Sequence, residues 1–511
     1  MDRVIDRRRF LSSCSLAVLG PASLVPGWGQ RAQAADELSL ASDAVVFSDD
    51  LEPLVRAIET VPAGKALELA VSRLKTGTTP RQLLSAIFLA GIRNVNPQPP
   101  GFKLHCVFAV QAAHQLTLDV APEERLLPVF WALREFKNSQ AEDVRLGDYV
   151  LRNVQGNLPV PERAWQELDE AMQTWDEPRA DRAIVALVRS RGAHEVMEGL
   201  WKYGARDYRN IGHKAIFVAN AFRTLEVIGW RHAEPVLRSV VLGLLDFKDR
   251  EVNGYRFENQ TYLPNVTRVA EHGPRLPGDW TRTGGHRAAT LEVLEILRSG
   301  ETARAIGRSL ELLTAGTAGA GAIWDAAHLA AGELMMRQPG IYGIHTVTSL
   351  NGLRYAYEMA ADPKNRLLLL LQGLGWMGQF GTFMGQTQAG LGPQQITAIP
   401  AVESATDIPG TLQLVFESLA ADPAGAAAQA QAYAVRGGDL AQFATLAKGL
   451  IVRKQSDAHH YKYATAIFED LAHVSPEWRP QMLATSVYYL RGRQSPDDDM
   501  LQAIRDLDPR P

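Results

Sequence analysis

Apolar residues recur along most of this chain at three- and four-residue spacing, which is the period of one face of an α-helix. The spacing is clearest in four segments, LEPLVRAIETV, RQLLSAIFLAGI, HKAIFVANAFRTLEVIGW and RAATLEVLEILRSG. Long runs in which apolar and polar residues alternate, the pattern of a half-buried strand, do not occur in the sequence. We therefore predict an all-α protein in which many helices pack into a globular array or bundle.

Two stretches interrupt the helical pattern. Residues 250–286 are rich in Gly, Pro, Asn and Arg, and a second break runs through residues 386–411. We expect 250–286 to be a long irregular excursion, or a joint between two helical halves that surround one central site. Self-similarity with a period of about 30–45 residues is missing, which argues against a repeat array.

The segment between Leu367 and Val402 contains no charged residue. A membrane-spanning helix is one explanation, because such a helix needs about 20 predominantly apolar residues in a row. This segment instead mixes glycines, glutamines and a proline into its apolar residues. We predict a helix that is buried on all sides, followed by a neutral loop, and no integral membrane span.

The composition is that of an ordinary globular protein. The chain has 511 residues, of which 46% are hydrophobic and 22% charged, and its formal net charge is -4. The first 34 residues carry five basic and two acidic side chains, so the rest of the chain has a net charge near -7. Dense runs of Lys and Arg do not occur after residue 34. This balance offers no electrostatic basis for binding nucleic acid or a membrane surface.

The first 34 residues have the arrangement of an export signal. A charged segment that ends in RRRFL is followed by a moderately apolar stretch and by AQA, a small-x-small cleavage sequence. This arrangement resembles a twin-arginine leader; a basic N-terminal arm, the alternative, would need neither the apolar stretch nor the AQA end. The resemblance implies export by the twin-arginine machinery to the periplasm or another extracytoplasmic space, and a mature all-helical domain over residues 35–511. Proteins exported this way often carry a cofactor inserted in the cytoplasm.

Cys106 is the one cysteine left after removal of such a leader, because the other is Cys14. A single thiol cannot form an intramolecular disulfide, and thiolate-rich zinc sites and iron–sulfur clusters need several thiols. The stability of the mature chain must therefore come from packing. Cys106 is either a small buried hydrophobic residue, which is the commoner role, or a catalytic thiol.

The strong catalytic signatures are missing from the sequence. It contains no GxSxG, no phosphate-binding loop, no dinucleotide fingerprint behind a strand and no HExxH. The Glu-x-x-His pairs of carboxylate di-iron bundles are missing too. The twelve histidines are therefore the main candidates for chemistry.

Several histidines are predicted to lie on helices. His213 opens a helix whose next turn carries Ile216, and His345 heads a segment with hydroxyl residues on its next turn. Each is either a hydrogen-bonded core histidine or a ligand. His105 and His114 lie nine residues apart, about two and a half helical turns, so they point to opposite sides of one helix. At most one of these two can serve a given site.

The stretch DAHHYK is predicted to begin a helix with Asp457 as its N-cap. Residues three apart share a helix face, so His459 and Lys462 point the same way, and the small Ala466 leaves space beside both. Asp457 sits about 200° around the helix from His459, and His460 points elsewhere. The pair of His459 and Lys462 is either a solvated surface cluster or directed inward.

Three segments resemble elements of the questin oxidase-like family. DAHHYK is similar to the family's Asp-x-His-x-x-Lys element near the C-terminus, GHKAIFVANAF to its Gly-His helix, and HTVTSLNGLRYAY to its His-x-Val-Thr segment. Further blocks between residues 100 and 480 resemble an exported bacterial branch of the family. Its members include fungal enzymes that oxidatively open anthraquinone rings, and relatives described as non-haem iron oxygenases with four histidines and a carboxylated lysine.

The resemblance implies a set of metal ligands in this chain. The residues that match the family's elements are His213, His345, His459 and Lys462. For the remaining histidine the resemblance favours His114, with His105 and His232 as alternatives. Where the family often has a second histidine along its Gly-His helix, this chain has Phe217.

The chemistry implied by the resemblance is an iron-dependent oxygenation. A lysine in an apolar pocket has its charged form disfavoured, and its free amine can take up carbon dioxide and become an anionic oxygen ligand. Several imidazoles with one carboxylate-like oxygen suit Fe(II), and zinc or copper would also accept imidazole. The implied partners are dioxygen and a small hydrophobic or aromatic organic substrate.

Two other classes of protein stay open on the sequence. One is a periplasmic helical binding or scaffold protein without catalysis, whose histidines are packed core. The other is an oxidoreductase with an organic cofactor, for which the sequence has no binding fingerprint. Convergence of the histidines on one point would separate the metalloenzyme from the binding protein.

Overall fold

The computed structural model describes residues 40–246, 260–402 and 406–507. Over these ranges the chain forms 22 α-helices and no strand, and the protein is 72% helical. The all-α prediction is therefore confirmed. In chain order the helices are α1 Glu52–Thr60, α2 Ala66–Lys75, α3 Pro80–Asn94, α4 His105–Asp119, α5 Leu127–Leu146, α6 Ala164–Thr174, α7 Glu177–Ser190, α8 Ala193–Gly204, α9 His213–Ile228, α10 Ala233–Leu244, α11 Tyr262–His272, α12 Arg287–Arg298, α13 Thr302–Thr314, α14 Ala320–Arg337, α15 Ile341–Met359, α16 Pro363–Gln386, α17 Ile408–Ser418, α18 Pro423–Val435, α19 Leu440–Arg453, α20 Ala458–His473, α21 Arg479–Ser486 and α22 Met500–Leu507.

The leader predicted over residues 1–34, and residues 250–259 of the predicted excursion, lie outside the described residues. The remainder of the excursion is not irregular throughout, because it contains α11. Tyr262 and Val269 of this helix are buried, and the side-chain amide of Asn265 donates a hydrogen bond to Gln372 of α16 at 2.9 Å. Packing against α16 thus stabilises this helix. The sequence did not predict it, because the segment is rich in residues typical of loops.

Four helices, α4, α9, α15 and α20, pack around one centre in the described part of the chain. α4 contacts α9 and α20, and α15 contacts the same two helices. Each member of the set is therefore flanked by two others. α9 and α15 are buried along most of their length, and the residues that they bury include polar ones such as Asn220 and Asn351.

The uncharged segment predicted to be a buried helix forms α16 and the loop that follows it. By length and composition α16 could cross a membrane, and 78% of its most apolar window is buried inside the protein, as in a core helix. Its glycines allow close approach of neighbouring helices. A Cβ at Gly373 would lie 3.1 Å from the ring of Trp324, and one at Gly375 would lie 2.9 Å from the side chain of Thr261.

A buried ion-pair group joins the start of the described chain to α3. Arg93 of α3 is fully buried and donates hydrogen bonds to Glu59 and Glu52 of α1, each at 2.8 Å. The carbonyl of Val45 accepts another from the same guanidinium at 2.9 Å. Burial alone would lower the pKa of Arg93, and the two glutamates outweigh that effect and raise it, so this guanidinium stays charged.

Candidate metal centre

Four histidines from four different helices meet at the centre of the set formed by α4, α9, α15 and α20. They are His105, His213, His345 and His459, and each offers a ring nitrogen that lies within 4.8 Å of those of the others. His105, His213 and His345 are buried. The side chain of His459, near the N-terminal end of α20, is 17% exposed, whereas its Nε2 atom is buried.

The histidines gather here because their helices begin here. His105 and His213 are the first residues of α4 and α9, and His459 is the second residue of α20. His345 lies in the second turn of α15. The N-terminus of a helix carries a partial positive charge, which disfavours a protonated imidazole.

The ring nitrogens lie close together in a defined arrangement. Nε2 of His213 is 3.1 Å from Nε2 of His105 and 3.0 Å from Nε2 of His345. Nδ1 of His213 donates to the carbonyl of Asn210, and Nδ1 of His345 donates to the carbonyl of Ile341. A carbonyl only accepts, so the proton of each of these two rings is on Nδ1 and the lone pair on Nε2.

This arrangement fits a metal ion. An imidazole nitrogen binds a divalent ion such as zinc at about 2.1 Å, so two such ligands at right angles are about 3.0 Å apart. The Nε2 atoms have this spacing, and the lone pairs of His213 and His345 face one another. Backbone carbonyls that fix the ring orientation through Nδ1 are the usual outer partners of histidine ligands.

Burial keeps these imidazoles neutral, which is the form that binds metals. It lowers the pKa of His105, His213 and His345 well below the ordinary value, and nearby Lys462 lowers it further. Burial also lowers the pKa of His459, although the carboxylate of Asp457 opposes the shift. A neutral imidazole at neutral pH needs no proton release before it binds a metal.

The start of α20 directs His459 toward the other histidines. Asp457 caps the helix, as predicted, and accepts hydrogen bonds from the backbone N–H groups of His459 and His460. Its other oxygen lies 3.7 Å from Nδ1 of His459. Nε2 of His459 is buried and has no hydrogen-bond partner among the described residues. His460 points elsewhere, as predicted, and stacks on Tyr489 with ring centroids 4.4 Å apart.

Lys462 lies inside the protein and not in solvent. The residue is 3% exposed, and its Nζ atom has no hydrogen-bond partner among the described residues. Nζ lies 5.8 Å from the centre of the Phe108 ring, which itself stacks on His213 with ring centroids 5.6 Å apart. Burial lowers the pKa of Lys462 to about 7. The alternative of a solvated His459 and Lys462 cluster is therefore wrong for Lys462.

The structure places His105 in the group and His114 outside it, which corrects the sequence-based preference for His114. The two lie on opposite sides of α4, and His105 is on the side that faces His213. His114 is half-buried, and burial together with nearby Arg81 lowers its pKa. His232 is also outside the group, where its Nε2 accepts a hydrogen bond from Nε of Arg231 at 3.1 Å.

Two features of the site were not predicted from the sequence. The carbonyls of Asn210 and Ile341 that orient the imidazoles belong to the backbone, and no side chain reveals them. Phe108, which the sequence did not single out, stacks on His213 and packs on Phe217 with ring centroids 5.1 Å apart. Gly212, directly before His213, is a signal in the sequence that the backbone makes an unusual turn at the start of α9.

Cys106 adjoins His105 in sequence but lies apart from the group of histidines. It is buried, and burial raises the pKa of its thiol well above the ordinary value. A thiol of this kind is a poor nucleophile, because the thiolate is the reactive form. The location agrees with the role of a small hydrophobic residue.

Comparisons of the chain with protein-family models, with curated proteins and with solved structures find no match.

Proposed function

We propose that this chain is an exported metal-dependent oxidoreductase, a non-haem iron oxygenase that oxidises a hydrophobic or aromatic organic compound. The observation that carries the proposal is the meeting of four neutral histidines at one point, with Nε2 of His459 lacking a partner among the described residues. Buried polar atoms almost always have a partner, so an orphaned nitrogen in such a group supports a bound ion.

The donor set supports a divalent transition metal. Imidazole nitrogens suit iron, zinc, copper and nickel, and the group contains no thiolate. The choice of Fe(II) among these metals rests on the resemblance of DAHHYK, GHKAIFVANAF and HTVTSLNGLRYAY to the questin oxidase-like family. Bound Fe(II) would supply the capacity to react with dioxygen.

The charge of the site supports carboxylation of Lys462. The group that would hold a divalent ion contains no carboxylate, and a buried charge without compensation is costly. An ammonium at Lys462 would add to the positive charge, whereas a carbamate would offset part of it. The free amine forms a carbamate by adding to carbon dioxide with release of one proton, and it is available because burial lowers the pKa of Lys462 to about 7.

The residues of the chain would orient the ligands and exclude water. His213 and His345 keep their orientation through the hydrogen bonds of their Nδ1 atoms. The rings of Phe108 and Phe217 form an apolar wall beside the histidines. The partly exposed edge at His459 is the side from which dioxygen and a small hydrophobic substrate would enter.

The leader sequence supports the cellular location in this proposal. RRRFL and AQA are the features of a twin-arginine leader, which would direct the chain to the periplasm or another extracytoplasmic space. That route carries folded proteins, so the metal would be bound before export.

Oxygen consumption tests the proposal. Residues 35–511, produced with iron and bicarbonate, are assayed with a panel of phenols, quinones and polycyclic aromatic compounds in the presence of a reductant. We expect substrate-dependent oxygen uptake that is lost in His345→Ala and kept in His114→Ala, whose side chain lies outside the group. Iron-loaded protein without such uptake would contradict the oxygenase, and a folded protein without metal would favour the periplasmic binding or scaffold protein.

A further inference from the structure

The three residues before His213 have an unusual backbone conformation. Asn210, Ile211 and Gly212 have φ angles of 57°, 51° and 82°, so all three lie in the left-handed region. L-amino acids rarely adopt this region, and a β-branched residue such as Ile is among the least suited to it. They form the longest run of positive φ angles in the described part of the chain.

Polar contacts that are partly or fully buried hold this turn from both sides. The carboxylate of Asp207 accepts hydrogen bonds from the backbone N–H of Arg209 at 3.0 Å and from Nζ of Lys214 at 2.8 Å. The side-chain amide of Asn210 donates to Asp246 at 3.0 Å. A strained backbone conformation persists only where the surrounding structure holds it in place. These contacts hold the turn in place.

The turn contacts both α9 and α15, the helices that carry His213 and His345. Its Asn210 carbonyl accepts the hydrogen bond of His213 Nδ1. A Cβ at Gly212 would lie only 2.4 Å from the Cβ of Ser349, one turn beyond His345 on α15. The turn therefore determines the orientation of the His213 ring and the separation of α9 from α15.

We propose that the turn of Asn210, Ile211 and Gly212 is a positioning element, which sets His213 Nε2 in the ligand position before a metal binds. The inference rests on the proposed metal function of the histidines. A turn that served only to begin α9 would need no left-handed run, because a Ser, Thr, Asp or Asn cap does that without strain. A strained turn beside a reactive centre can hold a side chain in its working orientation before the ligand binds.

Co(II) binding to residues 35–511 tests this inference. In Gly212→Ala the added Cβ would push the turn away from Ser349, and we expect Co(II) to bind about tenfold more weakly, the usual effect of losing an outer contact to a ligand. The visible spectrum of bound Co(II) should change as well. Ser349→Gly removes the nearest clashing atoms, but the added Cβ still lies 3.2 Å from the ring of Trp376 and alanine stays strained at this φ. The double variant should therefore recover part of the affinity, and its spectrum should move back toward that of the wild type.

A second pair of variants keeps the test valid if Gly212→Ala does not fold. Asn210→Ala loses the contact with Asp246 and also disfavours a positive φ, whereas Asn210→Gly loses the same contact but accepts that φ. We expect weaker Co(II) binding in Asn210→Ala than in Asn210→Gly, by a factor larger than any difference in the melting temperature of the metal-free proteins explains.

The outcomes separate this inference from the proposed function. Unchanged Co(II) affinity and spectrum in folded Gly212→Ala or Asn210→Ala, beside a wild type that binds Co(II), would overturn the positioning role alone. A folded wild type that binds no Co(II) would overturn the proposed function and this inference together.

Discussion

Nε2 of His213 lies 3.0 Å from Nε2 of His345, and the Nδ1 atoms of both rings donate to backbone carbonyls. The two nitrogens that face each other are therefore both acceptors and cannot form a hydrogen bond with one another. Histidines packed only as core would pair a donor with an acceptor. A cation between the two lone pairs removes the repulsion, and this is why the contact favours a ligand role over packing.

Replacement of Lys462 tests the carbamate. We expect Lys462→Ala to bind Fe(II) about tenfold or more weakly, because an anionic ligand is lost. A short carboxylate such as propionate, added to this variant, should restore part of the affinity by occupying the space of the carbamate. The wild type grown with ¹³C-bicarbonate should show a carbamate signal in the NMR spectrum that Lys462→Ala lacks.

The exposed Lys65, far from the histidines in sequence, provides the matched control for Lys462. Lys65→Ala should keep both the affinity and the carbamate signal. Equal iron binding by Lys462→Ala and the wild type would exclude Lys462 as a source of a ligand.

Arg93→Met should destabilise the fold through the loss of a buried ion-pair group. The substitution keeps most of the volume but removes the fully buried cation beside Glu59 and Glu52. We expect the free energy of unfolding to fall by about 3 kcal/mol, since a buried charge loses its main partner. Urea unfolding measures the change, and Lys65→Met, which breaks an exposed pair with Glu68, should have little effect.

Asp207 should make the fold sensitive to acid. Burial alone would raise the pKa of Asp207, but the charges of Lys214 and Arg209 outweigh burial and hold it well below its usual range. The folded state thus has a lower pKa than the unfolded state, so the stabilisation is complete above about pH 4 and is lost as the pH falls further. Asp207→Asn should be less stable at neutral pH and show a smaller loss in acid, measured by urea unfolding. An equal loss of unfolding free energy in acid for Asp207→Asn and the wild type would contradict this expectation.

Cys106 should be unreactive in the folded protein. Because the thiol is buried and its pKa is raised, residues 35–511 should show no reaction with a chromogenic disulfide reagent at neutral pH. Denaturant should release the reactivity of this thiol. Ser72→Cys, at an exposed position on α2, should add one thiol that reacts at once. Rapid reaction of Cys106 in the native protein would reopen a catalytic role.

The fold class could be predicted from the sequence because apolar spacing is a local property. The same spacing could not reveal α11, whose sequence contains a proline and an asparagine and whose stability comes from contacts with α16. Tertiary contacts of this kind are not encoded in a short window of sequence.

The candidate site could be predicted only in part, for a geometric reason. Helical spacing shows that His105 and His114 face opposite ways, but it does not show which side of α4 faces α9. The spacing of His459 and Lys462 likewise puts them on one face, and only the packing of α20 against α4 and α15 shows that this face is internal. The left-handed turn at Asn210 depends on a partly buried hydrogen bond with Asp246, which lies 36 residues further along the chain.

Metal content, measured by elemental analysis, tests whether the four histidines bind a metal ion. Residues 35–511 are purified after production with iron and bicarbonate, beside His105→Ala and His114→Ala. We expect about one metal ion per chain in the wild type and in His114→Ala, and little in His105→Ala, because of these two histidines only His105 has a nitrogen in the group. A folded wild type without metal, or equal metal retention in His105→Ala, would show that the four histidines do not form the metal site.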